Sequence, residues 1–232
     1  MYSPQPRSLL RSISGLGDKD HAVGIIRKSV PKHPAENDRR STPRTCASFA
    51  DDLQHADPAV RRWGVRDLID CPGASGILAA RLWCDEDRSV REAILTALTV
   101  LGDERAVLTL VECLRSETVS LRNEAIDAMK QLPLAVAPIM DALLTDANPD
   151  VRIFAVNILE SLRHPQVEQW LITVIEHDDH LNVCATSVDL LGEVATEVSR
   201  DPLLRLKARY AGEPYMQFAT DIALRRISSA SS

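Results

Sequence analysis

Six short stretches of this sequence repeat one another at a nearly constant interval, and that period limits the fold more than any other feature. Aligned on a Val-Arg pair, they are Val60-Arg61, Val90-Arg91, Leu121-Arg122 and Val151-Arg152, followed in phase by Val183-Cys184 and Met216-Gln217. The spacings are 30, 31, 30, 32 and 33 residues, which is the signature of a solenoid with one supersecondary unit per repeat. Seven residues after the Arg position come Leu68, Leu98, Met129, Leu159, Leu191 and Leu224, and ten after it Cys71, Leu101, Leu132, Leu162, Val194 and Ile227. Three after it the residues are mostly small, as a close helix–helix approach requires: Gly64, Ile94, Ala125, Ala155, Ser187 and Thr220. Offsets −1, +3, +7 and +10 trace one stripe of an α-helix, called helix B below.

A second apolar helix, helix A, precedes each copy. The sequence places these at Phe49 to Leu53, Ile77 to Trp83, Val107 to Leu114, Val136 to Leu144, Val167 to Ile175 and Leu203 to Ala211. Each ends in a polar turn such as Asp57-Pro58, Asp85-Glu86-Asp87 or Asn148-Pro149. The Asp or Asn can cap helix B, and Pro is tolerated in its first turn because the missing N–H has no intrahelical acceptor there. With aromatic residues at 4% and hydrophobic residues at 45%, the expectation is an all-α solenoid of about six helical hairpins spanning residues 47–228. A disordered basic leader at 1–46 and a disordered tail at 229–232 complete the domain plan.

The leader carries nine Lys/Arg and four Asp/Glu together with five Pro, leaving a charge of about −11 on the remainder. Such a segment buries too little to offset its ordering entropy. It reads as a solvated leader, with a docking tail for an acidic partner as the alternative. No uninterrupted apolar run approaches the roughly 20 residues of a membrane span. Leu9-Leu10 and Ile13, interrupted by Arg11, do not form the apolar centre of a secretory signal. Five Cys with no close pair predict reduced thiols and a cytoplasmic protein.

Helix A, an Asp-Pro-type turn, Val-Arg-x-x-Ala and Leu at +7 together resemble the HEAT repeat, in particular its short bacterial form found in the phycobilin lyases. The resemblance covers about residues 47–228. It implies that the turn acid four residues before the Arg and the helix-B Arg form a ladder linking neighbouring repeats. On that basis Asp57, Arg61, Asp87, Arg91, Arg122, Asn148 and Arg152 are structural, and the last two repeats, with Cys184 and Gln217 at the Arg position, lack a ladder base.

The resemblance also places helix B on the concave face, so offsets +1, +2 and +5 should look into the groove. Arg62, Trp63 and Arg66 make it basic at its start, Glu92, Glu124 and Asp127 acidic in the middle, and Asn157 and Asp189 extend it. Ile153 and Phe154 read either as an apolar anchor for a partner or as packing between repeats if helix B is slightly rotated.

Motifs for chemistry are sparse. His177-Asp178-Asp179-His180 holds four potential ligands in one turn, which is not a metal-site spacing, and it reads as a solvated acidic turn. The chain has no His-Glu dipeptide, Gly-rich phosphate loop or Gly-x-Ser-x-Gly elbow. Cys184 reads as a neutral filler, since the nearby acids would raise its thiol pKa. The acidic body opposes the phosphate attraction on which nucleic-acid affinity rests. The sequence therefore predicts no metal, no cofactor and no catalytic residue. Its first reading is a non-catalytic protein–protein interaction scaffold whose partner is another protein; the alternative is a HEAT-like lyase or a cofactor or enzyme-maturation factor.

Overall fold

The computed structural model describes residues 44–230, and within them six helical pairs follow one another as the period requires. The helix-A set is α1 (Cys46–Asp52), α3 (Ala74–Leu82), α5 (Glu104–Cys113), a divided fourth member, α10 (Val167–His177) and α12 (Arg200–Arg209). The helix-B set is α2 (Pro58–Leu68), α4 (Arg88–Leu101), α6 (Val119–Lys130), α9 (Pro149–Leu159), α11 (Leu181–Val194) and α13 (Pro214–Ala230). Each helix B packs on the helix B of the next repeat. Residues 1–43, with almost all of the leader, lie outside the described residues. Ser229 and Ala230, assigned to the tail from sequence, belong to α13, and residues 231–232 lie outside the described residues.

One core runs the length of the array, as a solenoid whose repeats each bury a face against a neighbour must have. The stripe residues Val60, Leu68, Val90, Leu98, Val151, Leu159, Val183 and Leu191 are buried. Offset +4 is buried as well (Val65, Leu95, Ile126, Val156 and Val188), as is +6 at Ala97, Ala128, Ile158 and Leu190. Helix B therefore buries a wider arc than four offsets describe. Gly64 marks the closest approach: a Cβ there would stand 2.8 Å from Asp52 Cβ and 2.9 Å from the Phe49 carbonyl oxygen.

The fourth helix A is broken. Pro138 has no N–H to donate, and its ring would clash with the carbonyl four residues back. The chain responds by splitting into α7 (Pro133–Val136), a 3-10 turn (Ala137–Ile139) and α8 (Met140–Leu144).

The Arg column does something other than the expected ladder. Asp57, Asp87 and Asn148, four residues before it, cap helix B, accepting from the amides of Ala59, of Ser89 and Val90, and of Asp150. None of the three holds an Arg side chain. The Arg instead reaches back to carbonyls of the turn that follows helix A in its own repeat. Arg61 Nη1 donates to His55 and Ala56, Arg91 Nη1 to Asp85 and Glu86, Arg122 Nη1 to Ser116, and Arg152 Nη1 to Asp146 and Ala147. A cation at a helix C-terminus meets both unpaired carbonyls and the negative end of the dipole.

The acid that links repeats sits six residues before the Arg, not four. Arg61 forms a two-pronged pair with Asp85 of the next turn at 2.7 and 2.9 Å, and Arg152 pairs with Asp178 at 2.6 and 3.0 Å. Between them the linkage lapses: Ser116 stands where Arg91 would need an acid, and Asp146 is paired with Arg115 instead of Arg122. The same −6 side chain also closes its own turn. His55, Asp85, Ser116, Asp146 and Asp178 each accept the amide two residues on, the geometry of an Asx-type turn.

The C-terminal repeats are not held by packing alone. Arg209, from the sixth helix A, donates to the carbonyls of Ile175 at 2.8 Å and Asp178 at 3.0 Å, and lies 3.3 Å from Cys184 Sγ. It supplies the guanidinium that Cys184 cannot. Cys184 donates to the Asp178 carbonyl at 3.1 Å, and Gln217 Nε2 to those of Lys207 and Tyr210. Burial first, and Asp178 after it, raise the Cys184 thiol pKa against the pull of Arg209.

The cysteine expectation also needs correction. Cys46 and Cys71 are joined by a disulfide, their Cα atoms 5.7 Å apart. They are 25 residues apart in sequence, but the first hairpin folds back and brings the start of α1 to the end of α2. Cys84, Cys113 and Cys184 are free, and burial pushes the Cys113 thiol up to about 12.

Arg61→Ala should cost about 2–3 kcal/mol in chemical denaturation, because it removes the two-pronged partner of the buried Asp85 carboxylate and leaves it only Arg81 and the Asp87 amide. Arg91→Ala, which gives up hydrogen bonds to carbonyls alone, should cost about 1 kcal/mol. Burial works to raise the Asp85 pKa, but hydrogen bonds from Arg61, the Asp87 amide and Arg81 outweigh it and leave the pKa lowered. A lowered carboxylate pKa gives stability that is complete above the ordinary value and lost as pH falls through the folded one. Acidification below about pH 4 should therefore cost the wild type more than Arg61→Ala. Alkylation of the unfolded chain should block three thiols without reductant and five with it.

Candidate functional site

The helix-B face carries the residues that the sequence assigned to a groove, and the structure divides them. At its start Trp63 is half exposed, with the Arg66 guanidinium 5.3 Å above its ring, and Arg62 donates to Ser89 Oγ at 2.6 Å. In the middle, Glu92, Glu124 and Asp127 line a cleft of about 430 Å³ between α4 and α6. Arg88 pairs with Glu92 at 2.8 Å and stands 3.9 Å from Glu124. Burial and the Glu92 charge raise the Glu124 pKa, with Arg88 and Arg91 opposing. Farther along, Asn157 and Asp189 line a smaller cleft with Glu160 and Glu193. Asp189 is engaged: both its oxygens accept from the Tyr215 hydroxyl at 2.6 Å, which, with burial, pushes that phenol up to about 12.

Ile153 and Phe154 are both partly buried and packed against the core, and the Arg122 guanidinium of the preceding repeat lies 5.9 Å over the Phe154 ring. The apolar part of this face lies on α13, where Phe218 and Ile222 are exposed at the same offsets.

A second site was missed by sequence reasoning. Where Pro138 breaks the fourth helix A, α8 and α10 bound a cleft of about 580 Å³. Leu144, Trp170 and Val174 give it an apolar wall. Trp170 is fixed there: its indole N–H donates to Asp141 Oδ1 at 2.8 Å and its ring stacks on His164 with centroids 5.0 Å apart. The Arg152–Asp178 pair lies at the cleft, and the turn after α10 contributes His177, Asp179 and His180 to the lining. His177 Nδ1 is 2.9 Å from the Thr173 carbonyl oxygen. The turn read from sequence as solvated and acidic is thus part of a cleft lining. Among the described residues no group of three or more His, Cys, Asp or Glu is arranged to hold a metal ion. The signal in the sequence was Trp170 in a helix-A stripe.

Stacked helical pairs, a continuous core and turns closed by the Arg column define an α-solenoid of the HEAT type. HEAT repeats match residues 46–130 and 136–211, and the chain belongs to that family. It resembles the bilin biosynthesis protein PecE of Mastigocladus laminosus, with 32% identity over 124 residues, covering 52% of this chain and 46% of that one. The phycocyanin operon protein Z of Pseudanabaena tenuis is 23% identical over 192 residues, covering 78% of this chain and 94% of that one. Among solved structures, a chain of the complex of CpcE and CpcF of phycocyanin lyase from Nostoc sp. PCC7120 aligns over 86% of this chain and 99% of its own, with 17% identity and a TM-score of 0.36. The chain spans just under half the length of PecE.

This relationship overturns the first functional reading from sequence, the non-catalytic interaction scaffold. The PecE relatives are bilin biosynthesis proteins, the class of the alternative. Repeat geometry is common to both classes, so the fold could not choose between them.

At the Glu92–Glu124 contact, Glu124→Gln should raise stability at pH 7 by under about 1 kcal/mol, since it removes a carboxylate held in its costlier ionised form. The gain should disappear below about pH 4, where the wild-type side chain is protonated in both states. Urea titrations at the two pH values measure it.

Proposed function

We propose that this chain acts in bilin biosynthesis, as a lyase-type enzyme or a factor assisting bilin attachment. The observation that carries this is the 32% identity to PecE. The match to a phycocyanin operon protein over 94% of that protein's length points the same way. The fold suits the task, because a rigid repeat array presents clefts and charged faces of fixed geometry without a mobile lid. In this reading the partner is the polypeptide that carries the bilin, met on the helix-B face. Arg62, Trp63 and Arg66 at one end and Glu92, Glu124 and Asp127 in the middle are the residues that would meet it. No helix among the described residues is long and apolar enough to cross a membrane.

The test is removal of the gene from its native host. The fraction of the host's bilin-carrying protein with bilin covalently attached, read from absorbance and from fluorescence of denatured protein in gels, should fall severalfold and return on complementation. An unchanged fraction would overturn the reading.

A further inference from the structure

Resting on the bilin reading, we infer that the cleft between α8 and α10 is the bilin subsite. A bilin is an open chain of four conjugated pyrrole-type rings, bearing N–H donors along one edge and carboxylate side chains along the other. Its recognition calls for an apolar wall beside a conjugated face, acceptors for the N–H groups and donors for the carboxylates.

The cleft holds all three on fixed elements. Leu144, Trp170 and Val174 form the wall, and Trp170 is locked by its bond to Asp141 and its stack on His164. Asp179 is an exposed carboxylate in the lining, placed to accept N–H groups. His177 and His180 are exposed in the same lining. With Nδ1 of His177 donating to the Thr173 carbonyl, Nε2 of the neutral ring accepts a ligand N–H, and the imidazolium, which donates from both nitrogens, holds a ligand carboxylate. The volume of about 580 Å³ lies in the range of sites for extended organic ligands.

The cleft is also built in. The Arg152–Asp178 pair anchors one edge: Asp178 accepts the His180 amide at 2.8 Å and so orients the histidine turn. By contrast, the cleft between α4 and α6 is bordered by paired charges and lacks an aromatic wall.

Titration of the full-length protein with biliverdin, followed by visible absorbance and induced circular dichroism, tests the site. Thr173 is exposed on α10 and lines the cleft, so Thr173→Trp fills the space without disturbing the core, and an unchanged far-ultraviolet spectrum and melting temperature check that. Thr96→Trp does the same in the cleft between α4 and α6. The expected result is binding by the wild type and by Thr96→Trp, with at least tenfold weaker binding by Thr173→Trp and a smaller loss in His177→Ala. Wild-type binding that Thr173→Trp leaves intact overturns this site and leaves the bilin reading standing. No binding by the wild type, together with unchanged bilin attachment in the gene-deleted host, overturns both.

Discussion

Every hairpin in this array has the same weak point, the place where helix A stops and leaves carbonyls without partners just before helix B begins. Water could satisfy them, but the next repeat must stack there and the backbone must hold one shape. A side chain from the first turn of helix B supplies the closure, and four repeats use Arg for it. Position −6 completes the turn by accepting an amide from within it. Stacking of repeats is thus conditional on a local polar closure made within each one. The inter-repeat ion pairs at Arg61–Asp85 and Arg152–Asp178 are additions to that closure.

This explains how the sixth and fifth repeats tolerate losing the Arg. What must be conserved physically is donors at the carbonyls, and their source is free. Gln217 provides them from the usual position, whereas Arg209 provides them from the following helix A. The final repeat is further marked by Asp221 at offset +4, where the preceding five have buried apolar side chains, and Asp221 is paired with Lys207.

The fold was legible because two periods coincide in the sequence, a repeat of about 30 residues and an apolar stripe within each copy. The width of the stripe was less so, although the +4 column reads Val65, Leu95, Ile126, Val156 and Val188. Without it, Ile153 and Phe154 stay open between groove anchor and inter-repeat packing. The acid at −4 was taken for the Arg partner because composition cannot distinguish a cap from an ion pair; direction decides, and the −4 side chain points at its own helix. The disulfide was invisible for a related reason: Cys46 and Cys71 become neighbours only through the hairpin. The α8–α10 cleft was least legible, since only the stacking of two repeats brings α8, α10 and their turns together around it.

That stacking connects architecture to chemistry. Clefts open between adjacent helices A both at α8–α10 and at α10–α12, and the larger one lies between repeats whose turns are braced by an inter-repeat ion pair. Leu144 and Trp170 are already buried at the base of the cleft, so its width is set by the two polar turns beside them. Arg152 holds both turns: the carbonyls of Asp146 and Ala147 before it and the carboxylate of Asp178 beyond it. Those two anchor points are the two sides of the cleft. A residue that elsewhere in the chain closes one turn here fixes the distance between two, and that fixed distance makes the space a site.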